Sequence, residues 1–140
     1  MKTQFIFHLI ARIHNKTNKF LIQELQQHQI KGIVPSHGDI LGALCLTDQL
    51  RMKDLAALIN KDKSTVTSLV NKLIALGYIE KKSDPSDNRI SLIRLSRKGQ
   101  SIKPKIVRIS DKLNARAARN MSDNDVKTLM VLLSRVNNNL

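Results

Sequence analysis

Residues 62–77 contain the pattern that most limits what this chain can fold into. Apolar residues recur there at the spacing of one helical face, at Val66, Leu69, Val70, Leu73 and Leu76. Asp62 is a favourable N-cap and Gly77 a favourable residue just after a helix, so both ends are specified locally. The opposite face is short and polar, and it has no carboxylate after Asp62. Such a face can approach the base edges and phosphates of a nucleic acid closely.

A second short helix is expected immediately before this one. Residues 52–59 have an apolar stripe at Leu55, Leu58 and Ile59, and Asn60-Lys61 makes a short break before Asp62. Two helices joined by a tight turn predict a helix-turn-helix, whose second helix lies in the major groove of DNA.

After Gly77 the pattern changes to that of a β-hairpin. Residues 78–82 and 89–95 are short β-type runs, and the turn residues of 83–88 join them. A hairpin beside a helix-turn-helix is a wing, and this one is basic at its strands and tip. The connector 48–51 is short enough to form at most a brief third strand beside it. The fold class expected is therefore mainly α with a small β-wing, a winged helix-turn-helix.

Four motifs in this region resemble the MarR family of winged-helix transcription regulators. They are residues 62–67, residues 73–79, Asp84-Pro85-Ser86-Asp87-Asn88-Arg89 and Leu95-Ser96-Arg97-Lys98-Gly99. Together these motifs are specific, and the helix order is similar over the whole chain. The resemblance implies a homodimer that binds double-stranded DNA at a palindromic operator, most often as a repressor.

The resemblance also implies roles for individual residues. Arg89 is expected to reach into a minor groove, and Asp87 is expected to hold the wing in shape. Asn88 stands where the family often has a second basic residue. The residues expected to contact DNA are Lys63, Ser64, Thr65, Thr67, Ser68, Asn71 and Lys72 on the recognition helix and Lys81, Lys82, Asp87, Asn88 and Arg89 on the wing.

The charge of the chain favours a polyanionic partner. Its formal net charge is +13, and residues 51–105 hold 13 Lys and Arg against 5 Asp and Glu. Aromatic residues make up only 3% of the chain, whereas proteins that bind single strands usually need stacking platforms. The first apolar segment, residues 5–13, is interrupted by His8 and Arg12, which argues against a signal peptide. Duplex DNA is the expected partner, with no membrane partner and a cytoplasmic location.

Long amphipathic helices are expected at both ends of the chain. They cover residues 3–29, which Gly32 terminates, residues 96–117, where Pro104 falls inside the pattern, and residues 122–136. Their apolar surface exceeds what a chain of 140 residues can cover alone, so they are expected to form a dimer interface. We interpret residues 1–140 as a single domain, with dimerisation helices in 1–34 and 100–140 and the winged helix-turn-helix in 36–98.

A further helix is expected at residues 36–47. Ser36 and His37 lie at its N-terminus, where they are candidates for phosphate contacts. Gly38 and Gly42 are four residues apart, which favours close helix packing and leaves space for a ligand as the alternative. The resemblance implies a small aromatic or phenolic effector, for which the candidate contacts are Arg12, His14, Gly38 and Gly42. Cys45 is expected to be a small buried apolar residue.

The sequence contains no constellation typical of an enzyme. His8, His14, His28 and His37 lack metal-ligand spacing, no nucleophile elbow or glycine-rich phosphate loop occurs, and Cys45 has no neighbouring base. We therefore expect no catalytic residues, no metal and no cofactor. Two function classes remain, a dimeric DNA-binding regulator and a basic scaffold whose winged helix binds protein or membrane.

Overall fold

The computed structural model describes residues 5–140 and divides the chain into two compact units. The first unit ends at Ser110, and the second covers Asp111–Leu140. Residues 3 and 4, which the sequence assigned to the first helix, lie outside the described residues. The interpretation as one domain with separate dimerisation and DNA-binding parts remains a prediction.

The helices of the described residues follow the predicted order. They are α1 (Ile6–Gln27), α2 (Pro35–Cys45), α3 (Met52–Ile59), α4 (Lys63–Ala75), α5 (Arg97–Ala117) and α6 (Asp123–Asn138). Helix α5 begins in the first unit and continues into the second, and it runs through Pro104. The predicted mainly α fold with a small wing is confirmed.

Helix α1 ends earlier than predicted, and Gly32 does not terminate it. The residue that leaves the helix is Gln29, which adopts the left-handed conformation with φ 59°. The N–H of Ile30 then donates to the carbonyl of Leu25 at 2.9 Å, which satisfies one of the last carbonyls of the helix. A glutamine in this conformation is uncommon, so the sequence pattern pointed to the next glycine instead.

A three-stranded antiparallel sheet supports the wing. Its strands are β1 (Leu50–Arg51), β2 (Ile79–Asp84) and β3 (Asp87–Leu95), in the order β1-β3-β2. The short third strand considered at residues 48–51 is present, with Arg51 opposite Leu92 in β3. The hairpin strands extend further than predicted, so that Asp84 faces Asp87 and only Pro85 and Ser86 lie between them.

The core of the first unit lies where α2, α3, α4 and the sheet meet. Its fully buried side chains are those of Ile40, Leu41, Leu44, Leu55, Val66, Val70, Leu73 and Ile93. The prediction that Leu58 belongs to the buried stripe of α3 was wrong, because its side chain is 62% exposed. The face of α3 that packs inward is formed by Met52, Leu55, Ala56 and Ile59, which leaves Leu58 on the outer side. Cys45 is half-buried, and burial raises the pKa of its thiol.

The end of α4 and the start of α5 form a close joint within the first unit. The Ser96 hydroxyl donates to the carbonyl of Gly77 and also accepts the N–H of Gly99 at 3.1 Å. The Lys98 ammonium donates to the carbonyl of Leu76 at 2.9 Å and lies 4.6 Å from the centre of the Tyr78 ring. These bonds satisfy groups at the C-terminus of α4 and attach the recognition helix to α5.

Each unit also presents an apolar helix face that its own residues leave uncovered. In the first unit, the beginning of α1 exposes large side chains between 37% and 56%, namely Phe5, Ile6, Phe7, Leu9, Ile10 and Ile13. In the second unit, α6 buries no residue, and Leu129, Met130, Val131, Leu132 and Leu133 are between 43% and 61% exposed. Patches of this kind on folded chains usually mark interfaces.

Candidate nucleic-acid interface

Helix α4 presents a continuous polar face to solvent. Lys63, Ser64, Thr65, Ser68, Asn71 and Lys72 are exposed, whereas Val66, Val70 and Leu73 are buried on the opposite side. Thr67 lies at the edge of the exposed face, is half-buried, and donates its hydroxyl to the carbonyl of Lys63 at 2.8 Å. The predicted recognition residues therefore share one accessible face, with Thr67 partly engaged by its own helix.

The N-terminus of α4 is fixed by the predicted cap. The Asp62 carboxylate accepts the Thr65 N–H at 2.7 Å and the Ser64 hydroxyl at 2.9 Å. The bond from the Thr65 backbone, followed by that from the Ser64 hydroxyl, lowers the pKa of Asp62 below its ordinary value. Because Ser64 donates to the cap, it supports the helix start, while Ser68 and Asn71 extend from the middle of the face.

The tip of the wing is held by two aspartates. The Asp87 carboxylate accepts the Arg89 N–H at 3.0 Å, its Nε at 3.1 Å and its Nη2 at 3.4 Å. The Asp84 carboxylate accepts the Ser86 N–H at 2.9 Å and the Ser86 hydroxyl at 2.7 Å. The side-chain bond from Arg89 lowers the pKa of Asp87, and that from Ser86 lowers the pKa of Asp84. Both carboxyls are therefore ionised at neutral pH.

A groove of about 670 Å³ separates α4 from the wing. Five basic residues line it and no acidic residue does; they are Arg51, Lys53, Lys63, Lys81 and Arg89. Its apolar lining includes Met52, Val66 and Ile90. A surface with this charge next to an exposed polar helix is typical of elements that follow a phosphate backbone.

The sequence-based selection missed two residues of this groove, Arg51 and Lys53. Both lie at the start of α3, outside the recognition helix and the hairpin on which the prediction concentrated. Their basic character was visible in the sequence, but their position beside the wing depends on the pairing of β1 with β3. Because β1 and β3 are distant in the sequence, their pairing could not be predicted from local sequence patterns.

The N-terminus of α2 contains the two predicted phosphate contacts. Ser36 is half-buried, and His37 is buried with its Nδ1 accepting the Val34 N–H at 2.9 Å. The ring thus caps its own helix, which leaves Nε2 as the protonated nitrogen of the neutral imidazole. Burial, followed by the charge of Lys72, lowers the pKa of His37 from its ordinary value of 6.5. Contact of these two residues with phosphate stays a prediction.

The lowered pKa of His37 predicts a loss of stability in mild acid. The unfolded chain binds a proton near pH 6.5 and the folded chain only at lower pH. The contribution of neutral His37 to the free energy of unfolding should therefore be fully present above pH 6.5 and should be lost as the pH falls below that value. His37→Asn keeps a side-chain acceptor for Val34 without titrating, so its urea denaturation should change less between about pH 7.5 and about pH 5.5. If the free energy of unfolding changes equally in the wild type and in His37→Asn, the lowered pKa of His37 is not the cause of the acid sensitivity.

The four candidate ligand contacts lie on α1 and α2. A Cβ added at Gly38 or Gly42 would meet no atom within 4 Å, so these glycines do not serve close packing within the described chain. Arg12 and His14 are exposed, and His14 lies near enough to Asp39 of α2 to affect its pKa, which burial raises. None of the four lines the groove beside the wing. A ligand site at these residues stays a prediction.

A family model described as MarR family matches residues 31–90, from the loop before α2 to the tip of the wing. This part of the chain is similar to the MarR family. This match confirms the resemblance drawn from the motifs of α4 and the wing. In residues 5–140, no group of three or more His, Cys, Asp or Glu is arranged to hold a metal ion. No helix of the described residues combines the length and the apolar character needed to cross a membrane.

The chain is also similar in sequence to a transcription regulator of Bacillus subtilis. The chain is 28% identical over 109 residues to YdgJ of Bacillus subtilis (strain 168), an uncharacterized HTH-type transcriptional regulator. That match covers 78% of this chain and 66% of YdgJ, just under two thirds of its length.

Solved structures show the same architecture. A mutant of MarR from E. coli complexed with operator DNA superposes with a TM-score of 0.79 and 21% identity, over 94% of this chain and 92% of that one. BpsR of Bordetella bronchiseptica, described with regulation of its DNA binding by 6-hydroxynicotinic acid, gives 0.78 and 17%, over 94% and 98%. These likenesses confirm the winged helix-turn-helix fold.

Proposed function

We propose that this chain is a transcription regulator of the MarR type that binds double-stranded DNA in a sequence-specific manner. The observation that carries the proposal is the exposed polar face of α4 beside a groove lined by five basic residues and no acidic one. Helix α4 enters a major groove, where small hydroxyl and amide side chains can read base edges. The wing lies over the neighbouring minor groove, and the lysines between the two bind phosphates.

The proposed contacts are those selected from the sequence. We assign base reading to Ser68 and Asn71, and their exposure in the middle of the α4 face supports this assignment. The remaining contacts from α4 and the wing are Lys63, Ser64, Thr65, Thr67, Lys72, Lys81, Lys82, Asn88 and Arg89, with Asp87 holding Arg89 and with Ser36 and His37 near a phosphate.

A homodimer is the proposed binding form. The exposed apolar faces of α1 and α6 each require cover, and a second copy of the chain has the matching surface by symmetry. A dimer carries two recognition helices and would read a palindromic operator with half-sites about 34 Å apart. Sedimentation at micromolar concentration tests this step, and a stable monomer would exclude it. Binding over a promoter would make the dimer a repressor, acting in the cytoplasm where the DNA lies.

A small aromatic or phenolic ligand is the proposed effector. The open space at Gly38 and Gly42 supports a site near Arg12 and His14, and the regulation of BpsR by 6-hydroxynicotinic acid supports the ligand class. The ligand would act by favouring a dimer whose recognition helices no longer match successive major grooves. Titrating phenolic acids into the DNA complex tests this. If several acids bind the protein while DNA affinity stays constant, the site is not regulatory.

Selection of bound duplexes from a random DNA pool tests the proposed function itself. A regulator should enrich a palindromic sequence, and its affinity should fall steeply with salt because bound phosphates release counterions. A basic scaffold would bind without sequence preference. If the selection enriches no sequence, sequence-specific regulation is rejected, whereas the fold assignment is unaffected.

Two substitutions on α4 separate base reading from phosphate binding. Ser68→Ala should cost about 1 to 3 kcal/mol of binding free energy on the selected duplex and relax the preference at one base position. Lys72→Ala should weaken binding to all duplexes alike and reduce the salt dependence. Both residues are exposed, so neither change should disturb the fold. If Ser68→Ala keeps the full base preference of the wild type, the assignment of Ser68 as a base-reading residue is wrong.

A further inference from the structure

Arg51 occupies an unusual position for a long basic side chain. It is the N-cap residue of α3, yet its side chain makes no capping hydrogen bond. Short polar residues are normally preferred at this position because they accept a backbone N–H of the first turn. The guanidinium instead extends to the wing, where its Nη2 lies 3.9 Å from Oδ2 of Asp84. Its backbone is meanwhile fixed by β1, opposite Leu92 of β3.

The carboxylate that Arg51 approaches belongs to the turn of the wing. The Asp84 side chain is only 14% exposed, whereas that of Arg51 is 54% exposed. Asp84 closes the turn through Ser86 and stands directly opposite Asp87, which binds Arg89. The wing tip therefore combines two ionised aspartates with two arginines, one from the hairpin and one from the helix-turn-helix.

We propose that Arg51 is a positioning residue that holds the wing of this chain in the orientation from which Arg89 reaches DNA. This inference rests on the proposed DNA-binding function. Arg51 connects β1, the start of α3 and the turn of the hairpin, so it fixes the wing relative to the recognition helix. Holding the wing in place lowers the conformational entropy that would otherwise be lost when the wing orders on DNA.

Arg51 also neutralises a charge that would oppose binding. Two carboxylates on the element nearest the DNA repel phosphates, and Arg89 can compensate only the one that it contacts directly. The guanidinium of Arg51 lies next to the other carboxylate and also affects the pKa of both aspartates. Removing Arg51 would thus loosen the wing and leave Asp84 uncompensated.

A double-mutant cycle on the duplex selected by the wild-type chain tests this role. Arg51→Gln should weaken binding about fivefold in the wild-type background, as expected for one partly exposed ion pair. In an Asp84→Asn background the same substitution should weaken binding less than about twofold, because its partner carboxylate is already absent. Arg51→Lys should retain part of the affinity. Arg51→Gln should also relax the base preference at the outer positions of the site, which the wing contacts.

Lys53→Gln provides the matched control. Lys53 lies in the same groove and has no ion pair within the described residues, so this substitution removes one positive charge without breaking a pair. Its loss should weaken binding equally in the two backgrounds. If Arg51→Gln behaves like Lys53→Gln, Arg51 is a simple phosphate contact and the positioning role is rejected, whereas failure of the wild type to bind any duplex rejects the proposed function instead. Thermal melting of each variant checks that the fold is intact. Because the Arg51 side chain makes no capping bond, the melting temperature of Arg51→Gln should stay close to that of the wild type.

Discussion

Replacing Gly99 with alanine is expected to lower the free energy of unfolding by about 3 kcal/mol, near the upper end of the range for overpacking. A Cβ built at Gly99 would lie 2.0 Å from the carbonyl oxygen of Tyr78 and 3.1 Å from its carbonyl carbon. No flexible side chain can move aside to relieve this overlap, because the obstructing atoms belong to the backbone.

The obstructing carbonyl is itself held in place. It accepts the Ser96 N–H at 3.0 Å, and the Gly99 N–H donates to the Ser96 hydroxyl at 3.1 Å. Relief of the overlap therefore requires the start of α5 to move away from Tyr78 and to break bonds of the joint with α4. A partly folded variant should also lose DNA affinity, since the recognition helix ends in the same joint.

Gly42→Ala is the matched control for this prediction. Gly42 lies inside α2, its added Cβ would meet nothing within 4 Å, and it has no positive φ. Alanine should therefore raise the free energy of unfolding by about 0.5 to 1 kcal/mol through its helix preference. Urea denaturation of the two variants measures the contrast. Equal stabilities would show that the close approach of α5 to Tyr78 is not a feature of the folded protein.

The parts of the fold that local chemistry specifies were predicted well. Asp62 caps α4, Gly77 leaves it with φ 82°, and Ser122 with Asp125 caps α6. Each of these features depends on residues within a few positions of one another. The predicted end of α1 was wrong because Gln29 adopts the left-handed conformation, which is usually found at glycine.

The candidate site was predictable where it follows one helix and not where it joins distant segments. The exposed side of α4 follows from its period, so its predicted residues share one face. The burial of His37, the exposure of Leu58 and the reach of Arg51 to Asp84 depend on how α2, α3 and the sheet pack. No local pattern contains that information, which is why Arg51 and Lys53 were not selected.

Replacing Arg89 with alanine is expected to weaken binding to the selected duplex by about ten- to a hundredfold. The Arg89 side chain is 90% exposed at the wing, and two of its five N–H groups point to Asp87. Three donors therefore remain to reach minor-groove acceptors without breaking the pair with Asp87. Because Asp87 fixes the direction of the guanidinium, little rotamer entropy would be lost when the arginine binds.

The variants of this pair distinguish a directed contact from general attraction. Arg108→Ala removes an equally charged, exposed residue from α5 and should reduce affinity only slightly. Arg89→Lys should recover little of the loss, because a lysine cannot keep two bonds to Asp87 and also present a planar group to the groove. Asp87→Asn should give an intermediate loss, since Arg89 remains but its direction is less fixed. The four variants, including Arg89→Ala, are compared with the wild type by titration on the selected duplex and on a duplex with altered outer A·T pairs. If Arg89→Ala and Arg108→Ala weaken binding equally and keep the same preference for the outer pairs, the wing contributes only charge and the minor-groove contact is excluded.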